Sequence, residues 1–392
     1  MHDPIFEEVR TLSDKDPSEA AERLIGWLIE KGQFHQAFDV SLVSIRLRLG
    51  LPVVWTGRLE DLDDEQRTAV EEGYLEACRE IGFRLLDAGH PRDAWFYLRH
   101  LTDRQATAER IASFTPDDES REEYVEVAVH EGVAPAGGFK QVLKHFGICN
   151  AITLYDSTMY NQPREQRLAV APLLIADLHS QLLTNLWSEI QQQEGKPPED
   201  SSVAELIADR DWLFGEHAYH IDTSHLNAVV RFAREVDDHD VLRLALDLCE
   251  YGQRLDRQFQ YAAEEPFSDT YAAHAIFFRG LVSTEQTDWN AARDYFQAKA
   301  ESLPYAEHGA GPAEVFIAFL ARTGHESEAL EATRKFLPAG AMTSGFAPSA
   351  AELASASGDY PQLTELGAER DDIVAFATGV LAEAQRRHES SK

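Results

Sequence analysis

The sequence predicts an all-α protein built from antiparallel helix pairs, with a less regular helical centre. Three observations support this fold class. Apolar residues recur at steps of three and four, strand patterns are scarce, and a glycine turn followed by alanine recurs near both ends. At 44% hydrophobic residues the chain can form a sizeable buried core, so the composition excludes wholesale disorder.

The first clear helix is predicted to begin at Pro17. Asp16 is placed to cap its N-terminus, and proline is favoured at the first helical position. Leu24 and Leu28 then lie on one face, and Gly32 ends the segment. These local signals define one complete helix.

A second long helix is predicted to begin at Asp63 or Asp64. Its apolar residues recur at steps of three or four, at Val70, Tyr74, Ala77, Ile81 and Leu85. It ends at Gly89, and Pro91 starts the next helix. We interpret the acidic run within residues 60–80 as the solvated face of this helix and its approach.

Small and aromatic residues alternate in the C-terminal third, at Gly280, Trp289, Ala292, Phe296 and Pro304. The small residues let two antiparallel helices approach, and the aromatic residues fill the space beside them. This pattern resembles the tetratricopeptide repeat (TPR). The resemblance implies stacked helix pairs.

The turn of this repeat recurs in both terminal regions. Gly324 opens GHESEA, and Gly358 opens GDYPQL one TPR period of 34 residues later. Gly32 and Gly89 open similar turns near the N-terminus. The last copy departs from the pattern, as expected of a terminal cap. The resemblance covers about half of the chain and implies a TPR-like α-solenoid of antiparallel helix pairs; an irregular helical bundle with similar turns is the alternative.

We predict three regions along the chain. Residues 1–115 form N-terminal TPR-like helix pairs, residues 116–265 an irregular helical centre, and residues 266–392 C-terminal TPR-like repeats. Two further segments, residues 191–202 and residues 338–349, are predicted as loops from their polar, proline or glycine content. A departure from an otherwise regular array is a place to look for specific function.

The densest polar cluster lies in this centre. His217 and His220 are three residues apart, so on a helix both could face one metal ion, with Asp222 or His225 completing its ligands. Glu216 is then the candidate general base towards bound water. Zinc, iron and manganese all suit these ligand types. This is the one concrete catalytic constellation that the sequence suggests.

Two other interpretations of the cluster stay open. In the first, Asp222 caps the next helix, and His217 and His220 precede that helix in a loop. Tyr219 and His220 then pack against a neighbouring helix, and His225 is exposed. In the second, the cluster is a metal-free binding or acid–base site. His145 or His179 is a further candidate from a neighbouring helix.

A second cluster surrounds the pair Gly137 and Gly138. Two glycines before a helix can expose backbone N–H groups to an anion, but the segment lacks both GxGxxG and the Walker lysine, so no nucleotide site is predicted. His145 and Cys149 are four apart on the same predicted helix, a spacing that permits a thiolate–imidazole pair. A buried structural cysteine is the alternative.

Charge and cysteine content limit the partners and the compartment. With 36 Lys and Arg against 68 Asp and Glu, the formal net charge is −32, which disfavours nucleic acid and anionic membrane surfaces. No apolar run is long enough to span a membrane, and the first residues lack a secretory signal. The dispersed Cys78, Cys149 and Cys249 fit neither a disulfide framework nor a CxxC zinc site. We therefore predict a cytoplasmic protein.

The leading functional hypothesis is a partner-binding scaffold that uses the concave surface of a helical-repeat array. The acidic balance favours a basic protein or peptide as partner. The alternative is a metal-dependent enzyme or metal-binding protein that holds a divalent transition metal in the central region; otherwise no cofactor is predicted. A homo-oligomer, with exposed apolar ends pairing between copies, is the third hypothesis.

Overall fold

A computed structural model describes residues 3–54, 57–200 and 202–390. Across these ranges the chain is all-α and contains no β-strand. Helices that follow each other in the sequence pack as adjacent pairs. The all-α prediction is confirmed, and the packing is compatible with a helical-repeat fold.

The chain divides into two compact units, Met1–Val170 and Ala171–Lys392. The boundary falls inside one helix, α9. The helices that begin in the first unit are α1 (Ile5–Ser13), α2 (Pro17–Glu30), α3 (Phe34–Arg48), α4 (Asp64–Asp87), α5 (Pro91–Leu98), α6 (Arg104–Ala112), α7 (Arg121–Val125), α8 (Pro135–Thr158) and α9 (Arg164–Glu194). The second unit continues with α10 (Val203–Ile207), α11 (Thr223–Phe232), α12 (His239–Arg254), α13 (Thr270–Val282), α14 (Gln286–Ser302), α15 (Tyr305–His308), α16 (Gly311–Arg322), α17 (Glu326–Phe336), α18 (Ala350–Ser357), α19 (Tyr360–Glu369) and α20 (Ile373–Ser390). The division into three regions stays a prediction.

Helix starts follow the capping signals in the sequence. The Asp16 side chain accepts hydrogen bonds from the backbone N–H groups of Ser18 and Glu19, and Pro17 occupies the first position of α2. The Asp63 side chain caps α4 in the same way. A cap of this kind stabilises a helix by about 1 kcal/mol.

The predicted turn glycines share one backbone conformation. Gly32, Gly89, Gly324 and Gly358 have φ angles of 70°, 86°, 77° and 73°. This left-handed region strains residues with a side chain and is open to glycine. Each of these glycines therefore ends one helix and turns the chain into the next.

Close packing at Gly280 agrees with the predicted repeat pattern. A Cβ atom added to Gly280 on α13 would lie 2.5 Å from the Cβ atom of Ala292 on α14 and 2.8 Å from the ring of Phe319 on α16. Trp289 on α14 donates an indole hydrogen bond of 3.0 Å to the hydroxyl of Thr323. The glycine thus permits the close approach of three helices.

The predicted connections are correct in one case and partly wrong in the other. Residues 338–349 connect α17 and α18, as expected. The segment 191–202 is helical up to Glu194, because α9 continues through its run of glutamines, so the connection is shorter than predicted. Ser201 lies outside the described residues.

Each of the two compact units has one buried cysteine. Cys78 on α4 and Cys249 on α12 are fully buried, and burial raises the pKa of both thiols. Cys149 on α8 is exposed. Among the described residues, we find no helix with the combined length and apolarity needed to cross a membrane.

Candidate functional site

The four predicted metal ligands lie around the start of α11. His217 is exposed in the segment that precedes this helix, His220 is buried in the same segment, and His225 lies half-buried in the first turn. Asp222 caps the helix, because its Oδ1 atom accepts hydrogen bonds from the backbone N–H groups of Ser224 (2.8 Å) and His225 (3.2 Å). The Ser224 hydroxyl donates to the same oxygen and lowers the pKa of Asp222.

The prediction that His217 and His220 share one face of a helix is wrong. His217 and His220 both precede α11, so they do not share a helix face. Glu216 is exposed, and its backbone carbonyl accepts a hydrogen bond from the Gln258 side chain. In the part of the chain that the structure describes, no three His, Cys, Asp or Glu side chains are grouped so as to hold a metal ion. The metal-binding hypothesis stays a prediction.

His220 belongs instead to a hydrogen-bonded chain of side chains. The Tyr251 hydroxyl, on α12, accepts the backbone N–H of His220 at 2.8 Å and lies 2.9 Å from its Nδ1 atom. The Nε2 atom lies 3.1 Å from a carboxylate oxygen of Glu189 on α9. Asn185, one turn earlier on α9, donates a hydrogen bond of 2.6 Å to the His220 carbonyl.

These contacts determine where the imidazole proton lies. The Glu189 carboxylate can only accept a hydrogen bond, so the Nε2 atom that faces it carries the ring proton. The Nδ1 atom of the neutral ring then has no proton and accepts from the Tyr251 hydroxyl, whose oxygen also accepts the backbone N–H of His220. Burial lowers the pKa of His220, which favours the neutral ring. Both ring nitrogens therefore have partners within the chain.

Two of these partners were missed by sequence reasoning. Glu189 and Tyr251 each lie about 31 residues from His220, one before it and one after it, within helices that carry no motif. His179 similarly pairs with Asp247, with 2.9 Å between Nε2 and the carboxylate oxygen. Such long-range pairs depend on how α9 and α12 are placed, which residue spacing does not encode.

Gly137 and Gly138 lie within the first turns of α8 rather than before the helix, and they have a packing role. A Cβ atom on Gly137 would lie 2.3 Å from the Tyr124 hydroxyl, and one on Gly138 would lie 2.4 Å from a methyl group of Val129. Close approach of neighbouring side chains therefore explains both glycines.

The predicted pairing of His145 with Cys149 meets a break in α8. Gly147, between the two residues, has a φ angle of 80° and interrupts the helix. The thiol of Cys149 is exposed rather than buried. The four-residue spacing therefore does not correspond to one turn of regular helix, and the predicted buried structural cysteine is also wrong.

An open groove in the first unit is a candidate binding surface. It has a volume of about 340 Å³ and is lined by α2, α3 and α4. Its side chains include Glu22, Glu76, Glu80, Arg48 and Arg84. Arg84 donates a hydrogen bond of 3.0 Å to Glu80. Among the described residues, Glu22 and Glu76 have no ion-pair partner.

Small residues line the same groove. Gly26 and Gly73 lie within α2 and α4, and Ser41 and Ser44 come from α3. A Cβ atom on Gly73 would lie 3.0 Å from the side chain of Ile45, so packing accounts for that glycine. A Cβ atom on Gly26 would meet nothing within 4 Å. Among the residues that the structure describes, no contact requires glycine at this position.

No family model, curated protein or solved structure gives a significant match to the chain.

Proposed function

We propose that the protein is a partner-binding scaffold and that the groove over α3 holds a basic peptide segment of another protein. The observation that carries the proposal is the combination of an open groove, unpaired carboxylates on its walls and a mid-helix glycine that faces open space. Stacked helix pairs commonly bind extended partner segments in such grooves.

The carboxylates favour a basic occupant. Glu22 on α2 and Glu76 on α4 line the groove without cationic partners among the described residues. Glu72 lies one turn before Glu76, and like charges at this spacing destabilise a helix by a few tenths of a kcal/mol. A Lys- or Arg-containing segment would relieve this repulsion. The net charge of −32 steers cations towards the protein as a whole.

Gly26 supports close approach of the partner's backbone. Glycine within a helix costs about 0.5–1 kcal/mol relative to alanine. Within the described ranges, no residue lies where a Gly26 side chain would be, so close approach of a bound partner would account for this loss of stability. Small residues on the groove walls suit a segment whose apolar side chains are themselves small.

Selection of peptides from a random phage-displayed library, on the full-length protein, tests this proposal. We expect the enriched peptides to be rich in Lys, Arg and small apolar residues. A fluorescent synthetic copy should bind with an affinity that falls as salt increases, because the attraction is electrostatic. Enrichment of peptides without basic residues would contradict the proposal.

Two variants locate the binding to the groove. Gly26→Leu should abolish binding while keeping or raising the melting temperature, since its side chain enters open space and leucine favours the helix. Ala291→Leu, at an exposed position on α14, is the matched control and should bind as the wild type does. Glu76→Gln should weaken binding several-fold. Unchanged affinity in Gly26→Leu would place the peptide elsewhere and overturn the assignment to this groove.

A further inference from the structure

The outer face of α20 (Ile373–Ser390) is apolar and exposed. Its exposed large apolar side chains include Ile373, Val374, Val380 and Leu381, each between 43% and 73% exposed. Single exposed apolar residues are ordinary on protein surfaces, whereas a contiguous set on one face is typical of an interaction site. This face of α20 therefore needs a partner.

The opposite face of α20 packs closely on α19. A Cβ atom on Gly379 would lie 2.9 Å from the backbone nitrogen of Thr364 and 2.9 Å from the carbonyl oxygen of Tyr360. A Cβ atom on Gly367, in α19, would lie 2.8 Å from the Cα atom of Phe376. These two glycines let the helices approach, and the contact holds α20 with its apolar face turned outwards.

The apolar face has the spacing of a helix pair. Ile373, Ala377, Val380 and Ala384 follow each other at steps of four, three and four residues. This 3.5-residue period places all four along one seam, as in helices that pack side by side over several turns. The seam is thus suited to a second, straight helix.

Side-chain volumes along the seam make it complementary to itself in one orientation. When two copies of α20 run antiparallel, Ile373 lies opposite Ala384 of the second copy, and Ala377 lies opposite Val380 of the second copy. Each layer then holds one branched side chain and one alanine, which allows close packing. In a parallel pair, isoleucine meets isoleucine and alanine meets alanine, so crowded and empty layers alternate.

The charges at the two ends of α20 favour the same orientation. Asp371 and Asp372 precede the helix and are exposed, and Arg387 and His388 lie in its last turn. The helical period places Arg387 and His388 beside the seam, whereas Glu389 lies on the opposite side of the helix. Antiparallel pairing brings the acidic start of each copy to the basic end of the other, and a two-fold axis makes both contacts at once.

We propose that the protein forms a two-fold symmetric dimer in which α20 packs antiparallel against α20 of a second copy. This interface lies in the second unit and goes beyond the peptide binding assigned to the groove over α3. It gives the homo-oligomer hypothesis a specific surface. A single helix pair is a small interface, so the dimer should dissociate on dilution.

Sedimentation equilibrium of the full-length protein over a concentration series tests the dimer. A salt concentration of about 0.15 M screens the repulsion between two chains of net charge −32. We expect a monomer–dimer equilibrium in the wild type. Leu381→Lys should be monomeric with an unchanged circular-dichroism spectrum, because this side chain is 68% exposed. Val54→Lys, at an apolar residue that is 83% exposed outside α20, is the matched control and should dimerise as the wild type does.

Two outcomes of this experiment would overturn the proposal. The first is a wild type that stays monomeric at submillimolar concentration. The second is a Leu381→Lys variant that dimerises as strongly as the wild type, since the interface would then lie elsewhere.

Disulfide cross-linking tests the orientation, in a Cys149→Ser background that removes the exposed thiol. Mixing an Ile373→Cys chain with an Ala384→Cys chain should give a mixed disulfide under mild oxidation. Ile373→Cys alone should cross-link slowly, because its two copies are about 16 Å apart along an antiparallel pair. Faster cross-linking of Ile373→Cys alone than of the mixture would show a parallel pair and overturn the proposal.

A charge reversal tests the contact between the helix ends. Arg387→Glu should weaken dimerisation several-fold, because it places a carboxylate opposite Asp371 and Asp372 of the second copy. Arg243→Glu on α12 is the matched control, since Arg243 pairs with Asp240 on its own helix as Arg387 pairs with Glu383. Unchanged dimerisation in Arg387→Glu would exclude the antiparallel arrangement.

Discussion

The hydroxyl group of Tyr251 makes two hydrogen bonds with His220. It accepts the backbone N–H at 2.8 Å and donates to Nδ1 of the ring at 2.9 Å. One oxygen atom therefore fixes both the main chain and the side chain of the histidine. These two hydrogen bonds hold the segment that precedes α11. Asp222, two residues after His220, caps that helix.

Tyr251→Phe should destabilise the protein by about 1–3 kcal/mol, because it leaves two buried polar groups of His220 without a partner. Urea unfolding followed by circular dichroism measures the change. Tyr261→Phe is the control, since that tyrosine is exposed and its hydroxyl has a longer contact of 3.3 Å with Thr223. Equal effects of the two substitutions would remove the special role of Tyr251.

Acidification should destabilise the protein through His274. Its Nδ1–H donates to the Thr270 carbonyl, and its Nε2 atom accepts from the guanidinium of Arg234 at 2.6 Å. Arg231 adds a second positive charge nearby, and the Phe267 ring stacks on the imidazole. Burial and these cations hold the pKa of His274 well below its ordinary value.

The direction in which stability changes with pH follows from the protons that the folded and unfolded chains take up. As pH falls, the unfolded chain protonates this histidine near pH 6.5 while the folded chain does not, so stability present above that pH is lost as pH falls towards the folded pKa. From about pH 7.5 to about pH 5.5 the loss is up to about 1.4 kcal/mol. His274→Gln, which keeps an acceptor for Arg234, should lose less stability over this range in urea titrations. If the free energy of unfolding changes equally with pH in the variant and the wild type, His274 is not the cause of the acid destabilisation.

The same substitution should have opposite effects at two glycines. Gly26→Ala should raise the free energy of unfolding by about 0.5–1 kcal/mol, because no described residue lies within 4 Å of the new methyl group. Gly280→Ala should lower it by about 1–3 kcal/mol, since that methyl group meets Ala292 and Phe319. Denaturant midpoints of both variants provide the measurement. A change of the same sign in both would show that helix propensity alone determines the effect.

Glu314 should hold the connection between α17 and α18. This carboxylate is only 2% exposed and accepts hydrogen bonds of 3.0 Å and 3.1 Å from the backbone N–H groups of Ser344 and Gly345. Glu314→Ala should release the loop, with faster proteolysis within residues 338–349 and a loss of about 1–3 kcal/mol. Glu328→Ala, an exposed substitution on α17, is the control. Unchanged cleavage rates would contradict the role of the carboxylate.

The sequence predicted those features that depend on neighbouring residues. Asp16 and Gly32 each act within one helical turn, so their roles could be inferred from type and position. The contact of Gly280 with Ala292 followed from a known repeat spacing. Glu189 was not predicted as a partner of His220, because α9 approaches the segment before α11 only through tertiary packing.

The groove over α3 escaped prediction for a related reason. Gly26 has no distinguishing neighbours in the sequence, and its significance lies in the empty space beside it, which only the arrangement of α2, α3 and α4 reveals. Residue spacing contains no information on this empty space.

One buried cysteine in each compact unit allows the opening of the two units to be followed separately. Under native conditions a thiol reagent should modify Cys149 at once, because it is exposed, whereas Cys78 and Cys249 become reactive only when their surroundings open. Cys78 lies in the first unit and Cys249 in the second. The order in which these two buried thiols are labelled therefore records which unit opens first, with no probe added to the chain.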